Sequence, residues 1–165
     1  MPRFAPTSIL FPLLLLGACA PASISPPAEP SHQTSRTFDA SYDEVWDATV
    51  DWFSESNIPI HQIERASGLI ASEHDLGADE ALIDCGDIDP GHWRLVGVNR
   101  TANVNVRVRE AEERVLVRVD VFGRGSFTFR DSMTNALSTI EAPRCESTGE
   151  VESWIFEFIE DLGQG

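Results

Sequence analysis

The chain has 165 residues, of which 27 are acidic and 12 basic, so its formal net charge is −15 at pH 7. The length fits one domain of ordinary size with a substantial core, and a hydrophobic content of 42% is too high for a fully disordered chain. Because phosphate binding needs a cationic surface, the charge excludes a generic nucleic-acid binder.

The N-terminus has the composition of a signal peptide. Arg3 is the only charge before the first cysteine, and the stretch from Ile9 to Leu16 is apolar apart from Pro12. This stretch rises about 12 Å as a helix, far less than the roughly 30 Å of a bilayer core, so it is too short to span a membrane. We therefore expect residues 1–18 to be removed from the mature protein.

The next feature is the sequence LGAC at residues 16–19, which resembles the lipobox of bacterial lipoproteins. The resemblance implies cleavage before Cys19, a diacylglycerol on its thiol and an acylated amine. Ala20 is not the Asp of an inner-membrane retention signal, so the resemblance implies a lipid anchor in the outer membrane that faces the periplasm. The inner membrane and the cell surface are the less favoured sites. An ordinary signal peptide followed by an unrelated cysteine is the alternative.

A segment rich in proline and serine follows the cysteine. Residues 21–35 contain four prolines and four serines and almost nothing apolar, so they cannot bury enough surface to fold alone. In an extended form they reach roughly 45 Å. We predict a lipidated cysteine and tether over residues 19–35, and a single globular domain over residues 36–165.

The domain begins with a predicted short strand at residues 36–40 and a helix. Ser41 and Glu44 have the spacing of a capping box, and Asn57 and Pro59 end the helix. Between them, apolar and small side chains recur with helical periodicity and define one buried face: Tyr42, Val45, Trp46, Thr49, Val50 and Phe53.

Several strands are predicted next. Residues 58–65 and 69–74 flank Gly68, which supplies the positive φ of a tight hairpin turn. An acidic stretch without a regular period follows, over residues 75–93.

The clearest strands cover residues 103–109 and 115–122, where valines alternate with polar and other side chains. Strict alternation predicts one buried and one exposed face, as in an antiparallel sheet. Gly123 and Gly125 indicate a bulge or bend before a further strand at residues 126–129.

The last predicted helix starts at Ser147 with a capping box to Glu150 and stops at Gly163. Trp154 is expected in the core, as is Trp46 of the first helix. The predicted buried face of this last helix is Val151, Trp154, Ile155, Phe158, Ile159 and Leu162.

These elements predict an α+β fold with the order β-α-β-β-β-β-α. We expect an antiparallel sheet of about four to five strands with both helices on one face. The segment FDASYDEVWDATVDWFSESNIPIHQIERASGLIASE also resembles repeats in the C component of the outer-membrane barrel-assembly lipoproteins, where a Y-D-x-x-W helix precedes a hairpin. That resemblance implies a helix-grip fold, although this sequence has one such unit where the family has two.

Two cysteines remain for the domain once Cys19 carries lipid. Cys85 and Cys145 are expected to form a disulfide, because an exported compartment is oxidising. The alternative is a pair of free thiols that bind a metal or carry out redox chemistry. The sequence has no C-x-x-C motif and lacks the close cysteine spacing of a zinc site, which disfavours this alternative.

The acidic stretch also contains carboxylates at short spacing. Asp84, Asp87 and Asp89 lie close together beside His92, and carboxylates at such spacing can ligate calcium, but the twelve-position calcium-loop pattern is absent and Pro90 interrupts any such register. We therefore predict a solvated acidic loop, with neither a metal nor a cofactor.

Catalytic motifs are absent from the sequence as well. The four histidines, His32, His61, His74 and His92, lie outside any G-x-S-x-G, H-E-x-x-H or phosphate-binding pattern. The sequence therefore predicts a protein that is not an enzyme.

The positive charge of the domain is concentrated in one segment. Residues 94–130 contain eight Arg and four acids, for a local charge of +4, whereas the flanking segments are acidic. An ordinary solvated face would give the same pattern. The candidate partner surface on the exposed side of the two clearest strands consists of Arg107, Arg109, Leu116, Arg118 and Phe122.

From these features we expect a non-catalytic binding or envelope-assembly module that contacts an envelope protein. The alternative is a carrier of a small apolar ligand or lipid in a helix-grip cavity. A passive role in envelope structure is not distinguished from the first function by the sequence.

Overall fold

The computed structural model describes residues 21–77 and 81–162 of the chain. Their elements, in chain order, are β1 (Ser23–Ile24), β2 (Ser35–Phe38), α1 (Tyr42–Glu55), β3 (Ile60–Glu64), β4 (Leu69–Gly77), β5 (Ile83–Asp84), β6 (Ile88–Asp89), β7 (Trp93–Ala111), β8 (Arg114–Asp131), β9 (Leu137–Ser147) and α2 (Glu150–Leu162). The fold combines two helices with antiparallel strands, as the sequence predicts. Within these residues no helix has the length and apolar character needed to cross a bilayer.

Seven strands form the main antiparallel sheet, in the order β3-β4-β7-β8-β9-β5, with β2 paired to β8. β1 and β6 form a separate two-stranded pair. The predicted number of about four to five strands was too small. The strand β9 was not predicted, because it contains Pro143 and no clear alternation, and β5 has only two residues inside the acidic stretch.

The hairpin of β7 and β8 is the longest part of the sheet. Its pairs run from Trp93 opposite Asp131 to Ala111 opposite Arg114, so both strands extend well beyond their predicted bounds. The predicted strand at residues 126–129 is the end of β8. The irregularity indicated by the glycines lies in the pairing of β8 with β9, whose register shifts between Gly123 and Gly125.

Helix α1 begins as predicted, with Ser41 as its N-cap. The Glu44 backbone N–H donates to Ser41 Oγ at 3.3 Å, and the Ser41 N–H donates to Glu44 Oε2 at 2.8 Å. The hydrogen bonds from Ser41 lower the pKa of Glu44. The buried residues of α1 are Val45, Trp46, Ala48, Thr49, Trp52 and Phe53. Ala48 and Trp52 are thus buried beyond the prediction, whereas the predicted Tyr42 and Val50 are only partly buried.

Helix α2 differs from the prediction at its start and in its core face. It begins at Glu150, and Ser147 bonds to the side chain of Glu152 instead of forming a capping box with Glu150. Trp154 was predicted in the core but is 46% exposed, whereas Phe156 is 1% exposed. The helix is therefore rotated relative to the predicted face. Its buried residues are Val151, Glu152, Ile155, Phe156 and Ile159.

Both helices share one core with the valine face of the sheet. Trp52 and Phe53 of α1 meet edge to face with ring centroids 5.1 Å apart, and Phe156 of α2 lies 6.3 Å from Phe38 of β2. The valines buried beneath the helices are Val104, Val106, Val108, Val115, Val117, Val119 and Val121. We call this side of the sheet the buried face and the opposite side the open face.

The turn between β3 and β4 uses the predicted glycine. Gly68 has φ of +68°, and a Cβ at this position would collide with the carbonyl oxygen of Val108. The backbone N–H of Val108 donates to the carbonyl of Gly68 at 2.9 Å. Both the positive φ and the close approach to β7 therefore require glycine here.

Cys85 and Cys145 form the predicted disulfide, with their Cα atoms 4.1 Å apart. Cys85 follows β5, and Cys145 lies in β9. The disulfide covers part of the buried face, since a Cβ added at Gly125 would lie 2.9 Å from Cys85 Sγ and 2.8 Å from Phe127 Cε2. The acidic stretch is thus fastened over the phenylalanine end of the core.

Residues 21–35, expected to be a tether, lie against the domain, and we call them the strap. Their β1 pairs with β6, and the Ser25 N–H donates to the Asp87 carbonyl at 2.9 Å. Near the other end of the strap, the Val119 N–H donates to the Thr34 carbonyl at 2.8 Å. The sequence missed these contacts because most of them use backbone groups, which leave no pattern in residue type.

Candidate partner-binding groove

The candidate partner residues lie on the open face, where the β7–β8 register brings them together. Arg107 stands directly opposite Arg118, and Arg109 stands opposite Leu116. The three arginines are exposed and Leu116 is partly buried. Like charges placed directly opposite each other on two strands destabilise a sheet, so the Arg107–Arg118 pair requires compensation.

That compensation is incomplete. Arg118 Nη2 donates to Asp120 Oδ1 at 2.8 Å, and Arg118 Nε donates to both carboxylate oxygens at 3.0 and 2.9 Å. These hydrogen bonds and the charge of Asp120 raise the pKa of Arg118. Arg107 and Arg109 form no ion pair with any residue in 21–77 or 81–162. Two guanidinium groups are therefore available to an external anion.

Strands β3 and β4 complete a groove around these arginines. Leu69 stands opposite Arg107 in the β4–β7 pairing, Ala71 stands opposite Asn105, and Gln62 of β3 stands opposite Ala71. The groove has a volume of about 610 Å³. We call it the arginine groove, and its lining includes Gln62, Leu69, Ala71, Asn105, Arg107, Arg109, Leu116, Arg118 and Asp120.

Sequence reasoning missed the β4 side of this groove. The sequence predicts a strand at residues 69–74, but its pairing with β7 across the long acidic stretch has no local signal. Leu69 and Ala71 give the groove an apolar wall beside the arginines. The arrangement suits a ligand that carries both carboxylates and apolar side chains.

Phe122 was predicted as part of the same surface but lies outside the arginine groove. It is 42% exposed and lines a neighbouring groove of about 490 Å³. That groove also contains His32 and Thr34 of the strap, and it shares Asp120 with the arginine groove. The predicted surface is therefore divided between two grooves.

The neighbouring groove ends at a buried polar network around Glu152, which is 1% exposed. His32 Nε2 lies 3.0 Å from Glu152 Oε1, and Ser147 Oγ donates to Glu152 Oε2 at 2.7 Å. Ser147 Oγ also accepts from the Gly149 N–H at 3.0 Å. The Glu152 carboxylate thus lies between the His32 imidazole and the Ser147 hydroxyl, and this network joins the strap to α2.

Aspartate side chains of the acidic stretch accept hydrogen bonds from backbone N–H groups of the same stretch. Asp84 Oδ1 accepts from the Gly86 N–H at 2.7 Å, and Asp89 Oδ1 accepts from the Gly91 N–H at 2.9 Å. His92 Nε2 lies 3.2 Å from Asp131 Oδ2, outside the acidic stretch. In the part of the chain that the structure describes, no three His, Cys, Asp or Glu side chains are grouped as a metal site.

The predicted signal peptide and the lipidation residue Cys19 lie outside the described residues. No protein-family model matches the sequence, and no curated protein shows significant similarity to it. The function is therefore argued from the geometry of the grooves and from the sequence features of the N-terminus.

Proposed function

We propose that this chain is a lipid-anchored lipoprotein of the outer membrane that faces the periplasm and acts as a non-catalytic binding or envelope-assembly module. Its proposed anchor is Cys19, and its proposed partner site is the arginine groove. The main support for the partner site is the charge of Arg107 and Arg109, which no described acidic residue compensates. Both arginines are exposed beside apolar residues, in a chain whose net charge is −15.

The groove favours an extended acidic segment of a protein partner. Arg107 and Arg109 occupy alternate positions of β7 and are therefore about 7 Å apart along the strand. An extended peptide with carboxylates at alternate positions has the same spacing. Guanidinium groups bind carboxylates through paired, charge-assisted hydrogen bonds, and Leu69 and Leu116 offer contact to the apolar side chains of such a segment.

A defined peptide tests this site. The probe is a fluorescent peptide of alternating Glu and Leu, compared with one of alternating Gln and Leu, each titrated with the mature protein in detergent. We expect binding of the Glu peptide only. The double variant Arg107→Glu, Arg109→Glu should bind the Glu peptide more weakly by about tenfold or more, because two charge-assisted contacts become repulsive.

The matched control is Arg94→Glu with Arg130→Glu. These two arginines also stand opposite each other in β7 and β8, but outside the groove. The control changes the net charge by the same amount and should leave the peptide affinity unchanged. Equal affinities for the Glu and Gln peptides, or equal losses in the two double variants, would contradict the proposed site.

The carrier of a small apolar ligand or lipid is the second candidate, and it depends on a helix-grip-like arrangement of the helices on the sheet. The structure offers it little space. Trp46, Trp52, Phe53 and Phe156 fill the region between the helices and the valine face, and each is at most 4% exposed. This packing supports the partner-binding function over the carrier. A lipid retained by the mature protein in native mass spectrometry would favour the carrier instead.

A further inference from the structure

The end of the sheet farthest from the arginine groove has an exposed apolar surface. It includes the start of β7, the end of β8, the turn after β8 and the start of β9. Met133 is 88% exposed, Leu137 60%, Val96 42% and Leu95 39%. We call this surface the turn end; it consists of Arg94, Leu95, Val96, Arg130, Met133 and Leu137.

Two arginines accompany these apolar side chains. Arg94 stands directly opposite Arg130 in β7–β8, and Arg130 stands opposite Leu137 in β8–β9. Neither arginine forms an ion pair with another described residue. The neighbouring Asp131 is already occupied, since its Oδ1 accepts from the N–H groups of Met133 at 2.8 Å and Thr134 at 2.7 Å.

The strap enters the domain at this same end. Ser23 of β1 pairs with Asp89 of β6, and only Pro90 and Gly91 separate β6 from His92. The carbonyl of His92 accepts from Ser132 Oγ at 3.2 Å, in the turn after β8. Pro21 lies two positions after Cys19, so the two residues are at most about 7 Å apart along the chain. The position of a lipid on Cys19 is therefore restricted to the neighbourhood of this end.

We infer that the turn end rests on the phospholipid surface to which the chain is anchored. This inference depends on the lipid anchor at Cys19 in the proposed function. Apolar side chains enter the headgroup region of a bilayer, and arginines there pair with lipid phosphates. Because Asp87 and Asp89 are exposed beside β1 and oppose a negatively charged surface, the phosphate of a zwitterionic phospholipid is the group that the arginines fit.

This placement sets the orientation of the whole domain. With the strap fixed to the domain from β1 onward, no long spacer separates the domain from the bilayer. The part of β7 from Leu95 to Arg107 spans roughly 40 Å, so the arginine groove is held about that far from the membrane. The anchored protein would then present its partner site at a fixed height in the periplasm.

Photo-crosslinking to lipid tests the orientation. The lipidated full chain is reconstituted in phosphatidylethanolamine–phosphatidylcholine vesicles, with a benzophenone amino acid at Met133 or, as a control, at Glu113. Glu113 is exposed in the turn at the opposite end of the same hairpin. Irradiation followed by mass spectrometry measures the fraction of protein joined to lipid. We expect several-fold more lipid adduct from position 133 than from position 113.

Substitutions at the turn end distinguish a failure of the proposed orientation from a failure of the proposed lipid anchor. Leu137→Asp with Arg94→Glu should lower the adduct at position 133 while the protein still floats with the vesicles. Protein that floats but gives equal adducts at positions 133 and 113 would overturn the orientation and leave the anchor in place. Protein that does not float would overturn the anchor, and the orientation with it.

Discussion

His32 Nε2 lies 3.0 Å from Oε1 of Glu152, although the two residues are 120 positions apart in the chain. The contact joins the strap to the first turns of α2, and the other oxygen of Glu152 accepts from Ser147 Oγ at 2.7 Å. Gly149 gives His32 the space to approach, because a Cβ there would lie 2.9 Å from both Cβ and Cγ of His32. A segment with the composition of a free spacer is thereby fastened to the domain.

Replacing His32 by Ala should destabilise the domain and loosen the strap. The change removes one partner of a buried carboxylate, which costs about 1–3 kcal/mol in the free energy of unfolding. Hydrogen exchange at the Val119 amide should become faster, because that N–H donates to Thr34 of the strap. Urea unfolding and amide exchange measure the two effects.

Two further variants check that this contact is responsible. Gln33→Ala changes an exposed neighbour in the strap and should leave both measurements unchanged. Gly149→Ala should loosen the strap from the opposite side, since Gly149 has φ of +94° and no room for a Cβ. If His32→Ala and Gln33→Ala behave alike, the proposed role of the His32–Glu152 contact is wrong.

The rotation of α2 predicts opposite outcomes for two aromatic residues of the same helix. Phe156 is 1% exposed and packs against Phe38, so Phe156→Ala should lower the free energy of unfolding by about 3–5 kcal/mol. Trp154 is 46% exposed, so Trp154→Ala should cost less than about 1 kcal/mol. Urea unfolding of both variants distinguishes the observed orientation from the one expected from the sequence, in which Trp154 is the more costly residue to remove.

Removing the disulfide should be strongly destabilising. Cys85 and Cys145 are separated by 60 positions, and a crosslink that closes a loop of this length contributes about 4 kcal/mol in the chain-entropy description. Cys85→Ser with Cys145→Ser should lower the free energy of unfolding by this order. The wild type measured with a reductant is the matched control and should approach the double variant. Equal stability with and without reductant would show that the crosslink contributes little.

Asp131, the last residue of β8, should make the stability of the domain depend on pH. Hydrogen bonds from the N–H groups of Thr134 and Met133 lower the pKa of Asp131 from its usual 3.8. A carboxyl group whose pKa is lower in the folded state contributes stability above the unfolded pKa and loses it as pH falls through the folded pKa. Asp131→Asn should therefore be less stable than the wild type at neutral pH, and the difference should shrink below about pH 4.

Unfolding curves collected between neutral and acidic pH measure this difference. Asp51→Asn, which removes one carboxylate from the exposed side of α1, controls for the change in net charge. A stability difference for Asp131→Asn that stays constant down to acidic pH would contradict the assignment to the Asp131 carboxylate.

The local patterns of the sequence predicted the elements that carry their own signal. The alternating valines of β7 and β8 and the helical periodicity of α1 are properties of consecutive residues, and the structure confirms both. The same patterns placed Arg107 and Arg109 correctly on an exposed strand face. These features follow from local periodicity, since a strand or helix exposes alternate or spaced positions wherever it packs.

Features that depend on distant pairing were not predicted. Leu69 reaches the arginine groove through the pairing of β4 with β7, and Trp154 faces solvent because α2 also packs against α1 and β8. The contacts of the strap with the domain use backbone groups and one histidine. A proline-rich composition gives no signal for such contacts. In these cases, packing against a second element decides which side chains are buried. The sequence of the segment alone does not contain that information.

The arginine groove is proposed to bind an acidic protein segment. The most direct measurement places a photo-crosslinking amino acid at Leu116 in living cells and compares the adducts with those of the same probe in an Arg107→Glu, Arg109→Glu background. We predict a discrete protein adduct at Leu116 that is lost in the reversed background. The same adducts in both backgrounds, or adducts to lipid alone, would contradict binding of an acidic protein segment in the groove.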